Sequence, residues 1–188
     1  MKQQAFSDSK PTHLSTPLGR LIGLRTARHA PKVDSDTAAP KRILLVASSG
    51  GHWVQMRRVT QGFSEEELYF ASTDRGYAAT VPGHKYYYVP DASSSSSPLR
   101  VVWQALVTLG LILRVRPDVV LSTGAAPGFF ALMFAKKMGS KTIWLDSIAN
   151  VDRMSLSGRK AAPYADLYLT QWAHLAEEGG PQYFGSVI

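Results

Sequence analysis

Hydrophobic and polar positions change rhythm near Arg42, where a mixed polar segment gives way to short apolar runs separated by stretches of helical period. "RILLVAS" shows little alternation, the mark of a strand covered on both faces. "WVQMRRVTQGF" follows as a helix ended near Gly62, and "ELYFAS" and "HKYYYVP" are the next strands, the second closed by Pro90. Residues 93–97 are a serine loop whose last member, Ser97, precedes Pro98 as an N-cap and first-turn pair. Pro117 stops the helix so begun, and "DVVLST" is the fourth strand. "PGFFALMFAKKM" is a helix stopped at Gly139, "KTIWLD" a strand, and "ADLYLT", after a short helical stretch, the last strand. Apolar strands alternating with helices predict an α/β fold over residues 41–188: a Rossmann-like parallel sheet with helices on both faces.

Two segments stand apart from this pattern. Residues 1–40 are rich in Ser, Thr, Pro, Lys and Arg and are expected to form a basic flexible extension. Within it, Thr16 and Pro17 can start a membrane-surface helix with Leu18, Leu21 and Ile22 on one face; Arg25 falls on that face too, and a linker is the other reading. The second segment, residues 99–113, reads "LRVVWQALVTLGLIL", broken only by Arg100, Gln104, Thr108 and Gly110. Such a helix must be buried in protein or in lipid. At about 1.5 Å per residue it spans roughly 22 Å, short of the ~20 residues of a membrane crossing. It is either a core helix on the sheet or one dipping into a leaflet. In the second case Trp103, Leu106 and Leu111 enter the interface while Arg100 and Arg114 reach headgroups.

Composition narrows the functions. A chain of 188 residues holds one α/β domain and not two. The absence of cysteine excludes disulfides, thiolate metal sites and cysteine nucleophiles. Residues 1–42 carry 8 Lys/Arg against 3 Asp/Glu, so most of the net charge of +7 belongs to the extension. An anionic partner suits that charge; with no nucleic-acid-reading motif, a membrane surface is favoured. "MKQQAFSDSKPTHLS" lacks the apolar core of a secretory signal, so the expected location is the cytoplasmic face of the inner membrane, with peripheral attachment.

Ligands of parallel sheets bind beyond the carboxyl ends of the strands. Three such turns carry unusual residues. Ser48-Ser49-Gly50-Gly51-His52 brings backbone and a helix start toward a phosphate and adds an imidazole. The turn from Ser122 through Thr123 and Gly124 to Gly128 is again small, and Asp146 ends the strand before Ser147. The turns lack both the dinucleotide fingerprint and the P-loop ending. His52 and Asp146 together suit general acid/base work beside a phosphorylated ligand, with Ser49, Gly50, Gly51, Thr123 and Gly124 as candidate contacts. His84 and His174 have no ligand-type residues near them in sequence, so no metal is expected.

"SSGGHWVQM", "RPDVVLSTGAAPGFFALMFAKKMGSKTIWLDS", "SLSGRKAAPYADLYLTQW" and the closing "YFGSVI" resemble the family of asparagine-linked glycosylation protein 14 and its bacterial exopolysaccharide relatives of the PssD type. The resemblance covers Arg42 to the C-terminus. It implies the N-terminal half of a GT-B glycosyltransferase, the half that binds a polyprenyl-diphosphate-linked sugar acceptor, with a separate PssE-like subunit binding the UDP-sugar donor and no other cofactor. The implied reaction is inverting sugar transfer; the alternative is a non-catalytic membrane anchor for a catalytic subunit. The resemblance gives Gly50, Gly51 and His52 to the family's glycine-glycine-histidine turn, and Thr123 and Gly124 to its second glycine turn. Asp146 stands where many relatives have glutamate, and Asn150 where eukaryotic relatives often have arginine. Whether His52 is the base oriented by Asp146, or Asp146 is the base beside a phosphate-binding His52, stays open.

Overall fold

β1 (Arg42–Ala47) is buried along Ile43 to Ala47, each residue at 0% exposure, as its unbroken apolar run requires. The computed structural model describes residues 39–92 and 96–187, so the helix expected at residues 16–22 and nearly all of the basic extension lie outside the described residues. Among the described residues β1 is joined by β2 (Glu67–Ser72), β3 (Lys85–Tyr88), β4 (Val119–Ser122), β5 (Lys141–Leu145), β6 (Leu167–Thr170) and β7 (Gln182–Tyr183). All pair in parallel, in the order β3-β2-β1-β4-β5-β6-β7. The chain builds outward from β1 to β3, returns to place β4 beside β1, and continues the other way. β1 and β4 therefore flank the point where strand order reverses, the place where open α/β sheets leave a crevice.

Helices cover both faces. α1 (Gly51–Val59) sets Trp53 and Met56 against Ile43, Leu45 and Leu121. On the other face lie α2 (Pro98–Val115), α3 (Ala125–Lys137) and α4 (Leu156–Ala161), which set Ile112, Leu132 and Ala161 against Leu44, Val46 and Trp144. Each large aliphatic side chain so covered contributes about 1.5–3 kcal/mol. The outer strands are tied by polar contacts as well. Asp166 accepts from Lys136 and from the amide and hydroxyl of Thr142. Burial pushes its carboxyl up, but those donors and the ammonium outweigh it and hold it below the usual carboxylate range.

Three expectations change. β7 was not foreseen: two exposed residues carry no periodicity, and they join the sheet by pairing with Leu169 and Thr170 of β6, while the chain beyond is held where Val187 packs on the core and donates its N–H to Gln171 Oε1 at 2.8 Å. α2 starts at Pro98 and stops before Pro117 as expected, but its caps differ: Ser97 makes no side-chain cap hydrogen bond, and Arg116, with φ 49°, gives a left-handed C-cap. The third change is that α2 is neither wholly core nor wholly surface. Gln104, Thr108, Leu111, Ile112 and Val115 form an inward stripe, with Gln104 donating to the Pro90 carbonyl at 2.7 Å. Leu99 (83% exposed), Trp103 (58%) and Leu106 (56%) face outward with Val102 and Leu113. Leu111, expected among the membrane contacts, is thus corrected to a core residue: it lies three and seven positions after Thr108 and Gln104 and shares their face. Arg100 and Arg114 are exposed as expected.

Candidate active site

His52, the second residue of α1, is half-buried where the turns after β1 and β4 meet. Its Nδ1 lies 2.8 Å from the Thr123 carbonyl oxygen. A carbonyl can only accept, so Nδ1 carries the proton and Nε2 keeps its lone pair in the neutral ring. The Thr123 hydroxyl returns a bond to the His52 carbonyl at 2.7 Å, and Thr123 is fully buried. These reciprocal bonds clamp the two turns together across the switch point. Gly124 has φ 137°, and a Cβ there would stand 2.4 Å from the imidazole, so only glycine leaves the ring its place.

The first turn is held from its other side. Gly50 donates its N–H to the Tyr77 hydroxyl at 2.9 Å and Ser49 donates to Thr73 Oγ1 at 3.1 Å. Tyr77 in turn stacks on buried Trp53 with ring centroids 4.8 Å apart. The two amides that the sequence offers most directly to a phosphate are thus already occupied. Neither α1 nor α3 has a side-chain cap, since glycines, Gly50 and Gly124, stand at their N-cap positions.

Asp146 has a different occupation. At 2% exposure, its Oδ1 accepts from Trp144 Nε1 (3.1 Å) and Ser155 Oγ (2.6 Å), its Oδ2 from the Ser155 N–H (2.7 Å) and Asn150 Nδ2 (3.3 Å). Ser155 then caps α4 by accepting the Gly158 N–H at 2.8 Å. Among the described residues no hydrogen bond joins Asp146 to His52. The imidazole is oriented by Thr123, and the carboxylate ties β5 to the start of α4.

A cleft of about 510 Å³ opens over the starts of α3 and α4. Ser49 and His52 line it, whereas Thr123, Gly124 and Asp146 stand behind its wall and Gly50 and Gly51 at the turn beside it. Val101, Phe129, Phe130 and Leu156 make its apolar surface. Two charged residues that sequence reasoning passed over complete it: Asp91, just beyond β3, and Lys160 on α4. The signal for Lys160 was its spacing of four from Leu156, which becomes readable only once the bounds of α4 are known. An imidazole whose Nε2 has no hydrogen-bond partner among the described residues stands at this cleft, and in its neutral form can accept a proton from a bound hydroxyl group.

The model of the family "Oligosaccharide biosynthesis protein Alg14 like" matches residues 88–187, more than half of the chain. The chain is 27% identical over 186 residues to the UDP-N-acetylglucosamine transferase subunit alg14 of Schizosaccharomyces pombe, covering 85% of this chain and 89% of the relative. With the corresponding human subunit the identity is 26% over 178 residues, covering 78% and 82%. Among solved structures, Acinetobacter baumannii MurG superposes with a TM-score of 0.61 at 12% identity, over 76% of this chain and 45% of that one. A UDP-N-acetylglucosamine 2-epimerase superposes at 0.56 and 15% identity, over 71% and 41%. The chain thus spans less than half the length of these two solved proteins, and its fold is that of a Rossmann-like GT-B half. By sequence over more than half its length, the chain belongs to the Alg14-like family of oligosaccharide biosynthesis proteins.

Proposed function

We propose that this chain is the acceptor-binding subunit of an inverting glycosyltransferase, acting with a separate donor-binding subunit of the PssE-like kind. The observation that carries this reading is His52, locked by Thr123 so that Nε2 is free beside a cleft at the strand-order reversal. The relatives' names as UDP-N-acetylglucosamine transferase subunits support it.

In the proposed reaction the acceptor is a polyprenyl-diphosphate-linked saccharide and the donor a UDP-sugar of the N-acetylglucosamine or glucuronic acid type. The product enters lipid-linked oligosaccharide or exopolysaccharide synthesis. Nε2 takes the proton of the attacking hydroxyl as its oxygen bonds to the anomeric carbon. The bond from that carbon to the UDP oxygen breaks on the opposite face, and UDP leaves with the electron pair. No metal is assigned, because open helix starts and the partner domain can stabilise the departing diphosphate.

We further propose that the chain works at the cytoplasmic face of the membrane, and membrane contact is supported by the apolar outward face of α2. This is a helix of 18 residues with mean hydropathy 1.4, long and apolar enough to cross a membrane but 28% buried against its own sheet. Its inward stripe carries Gln104 and Thr108 beside Leu111, Ile112 and Val115, and its outward face is apolar too, at Leu99, Val102, Trp103, Leu106 and Leu113, where a helix facing only water would be polar. With Arg100 and Arg114 near its ends, α2 suits lying in an interface. Replacing Trp103 and Leu106 together by glutamate should cut sedimentation with anionic liposomes roughly tenfold or more at high salt, where charge contacts of the extension are screened. Unchanged sedimentation would remove α2 from the membrane contact.

The test of the reading is transfer of radiolabelled sugar from UDP-N-acetylglucosamine and UDP-glucuronic acid to lipid-linked acceptor in membranes. This chain is assayed alone and with a donor-binding subunit. Activity only with both is the expected result. Activity with this chain alone contradicts the split, and full activity of a paired chain carrying His52→Ala points to an anchoring role instead.

A further inference from the structure

α4 carries two adjacent cations that part company. Arg159 turns to donate to the Met154 carbonyl at 2.9 Å and lines a neighbouring hollow beside Glu177 and Glu178. Lys160 lines the cleft with Leu156, one turn earlier on the same face, while Gly158 and Ala161 pack inward. A Cβ at Gly158 would stand 2.9 Å from Trp144 Nε1 and 3.0 Å from Asp146 Oδ1, so the inner face of this turn is seated close against the Asp146 network. That network therefore fixes where Lys160 emerges. Among the described residues Lys160 forms no ion pair or hydrogen bond; the three ion pairs there are Arg42–Asp118, Lys85–Glu67 and Lys136–Asp166.

The two charges of the cleft come from different elements. Asp91 lies just beyond β3 and Lys160 on α4, and both line the cleft. Asp91 is also without a partner among the described residues. A diphosphate diester is dianionic, repelled by a carboxylate and drawn to an ammonium, which serves phosphates as a point charge. Sugar hydroxyls, in contrast, can donate to Asp91. The lining also includes Phe130 and, on the same face of α4 as Lys160, Leu156, which is 50% exposed; such a surface suits an isoprenoid rather than a second anion.

We propose that Lys160 binds the diphosphate of the lipid-linked acceptor and so sets its direction across the cleft: sugar toward His52 and Asp91, isoprenoid over Leu156 and Phe130. This rests on the acceptor-site reading above and deepens it by assigning the ends of the ligand. Lys160 is exposed and its removal touches no internal contact, so its variants should fold as the wild type does.

The experiment uses the full chain with its donor-binding subunit. Lys160→Ala is expected to raise the KM for the lipid-diphosphate acceptor roughly tenfold, with kcat and the donor KM within about twofold. Lys160→Arg should restore most of the loss. Lys137→Ala, the same charge change at the far end of α3, should leave the acceptor KM alone. A second readout compares geranylgeranyl diphosphate with geranylgeraniol in detergent. Wild type should prefer the diphosphate, and the preference should vanish in Lys160→Ala. If the wild type transfers and prefers the diphosphate but Lys160→Ala matches it, Lys160 is not the anchor and the acceptor-site reading survives. If the wild-type complex neither transfers nor prefers the diphosphate, that reading falls and the Lys160 assignment falls with it.

Discussion

Replacing His52 by alanine is expected to lower kcat of the reconstituted transferase roughly 10²- to 10⁴-fold, the usual worth of a positioned general base. The fold should survive, because the ring is half-buried and its one hydrogen bond, to the Thr123 carbonyl, is worth only about 1 kcal/mol net. His52→Gln sharpens the test. Its side-chain amide can donate to the same carbonyl, so thermal stability should stay near wild type, yet an amide does not take a proton from a hydroxyl. A base that must be unprotonated makes the rate fall toward acid, and that limb of the pH–rate profile should disappear in both variants. A variant that lost stability but kept kcat at low temperature would make His52 a clamp between the two turns and nothing more.

Asp146→Ala should act the other way round, on the fold before the chemistry. One carboxylate holds four donors, and Trp144, which supplies one of them, is fully buried. Removing it strands donors in the interior and frees the α4 cap, a loss of about 3 kcal/mol or more. For a chain of this size that corresponds to a fall in Tm of roughly 6–12 °C by calorimetry. Asp146→Asn should recover little of it, since its NH2 group would face donors. Activity should drop mainly through the acceptor KM, because the α4 wall carrying Lys160 would lose its anchor. An unchanged Tm together with a collapsed kcat would return Asp146 to the role of base.

The residues differ in how much they announced. Ile43 to Ala47, Val119 to Leu121 and Ile143 to Leu145 are unbroken apolar runs, and a strand with no polar face has to be covered twice. That makes the Rossmann-like sheet readable in the sequence itself. The glycine turns were equally plain, but their duties were not. Gly124 reads as a backbone approaching a ligand and in fact makes room for His52. Ser49 and Gly50 read as phosphate donors and instead brace the turn against Thr73 and Tyr77, side chains more than twenty positions away.

Periodicity alone determined the strands β1 to β6, most helix limits and the placing of His52 at the carboxyl edge, because each follows from residues within one or two turns of one another. Tertiary structure decided what depends on which distant atoms meet. Gln104 turns inward to the Pro90 carbonyl and leaves Trp103 outside, which splits α2 into a core face and an apolar outer face. His52 takes Thr123 as its orienting partner, while Asp146 gives its oxygens to residues 144, 150 and 155. A hydrogen bond is chosen by separations of about 3 Å in space: strand order sets that separation for His52 and Thr123, 71 positions apart, and the path of the loop after β5 sets it for Asp146.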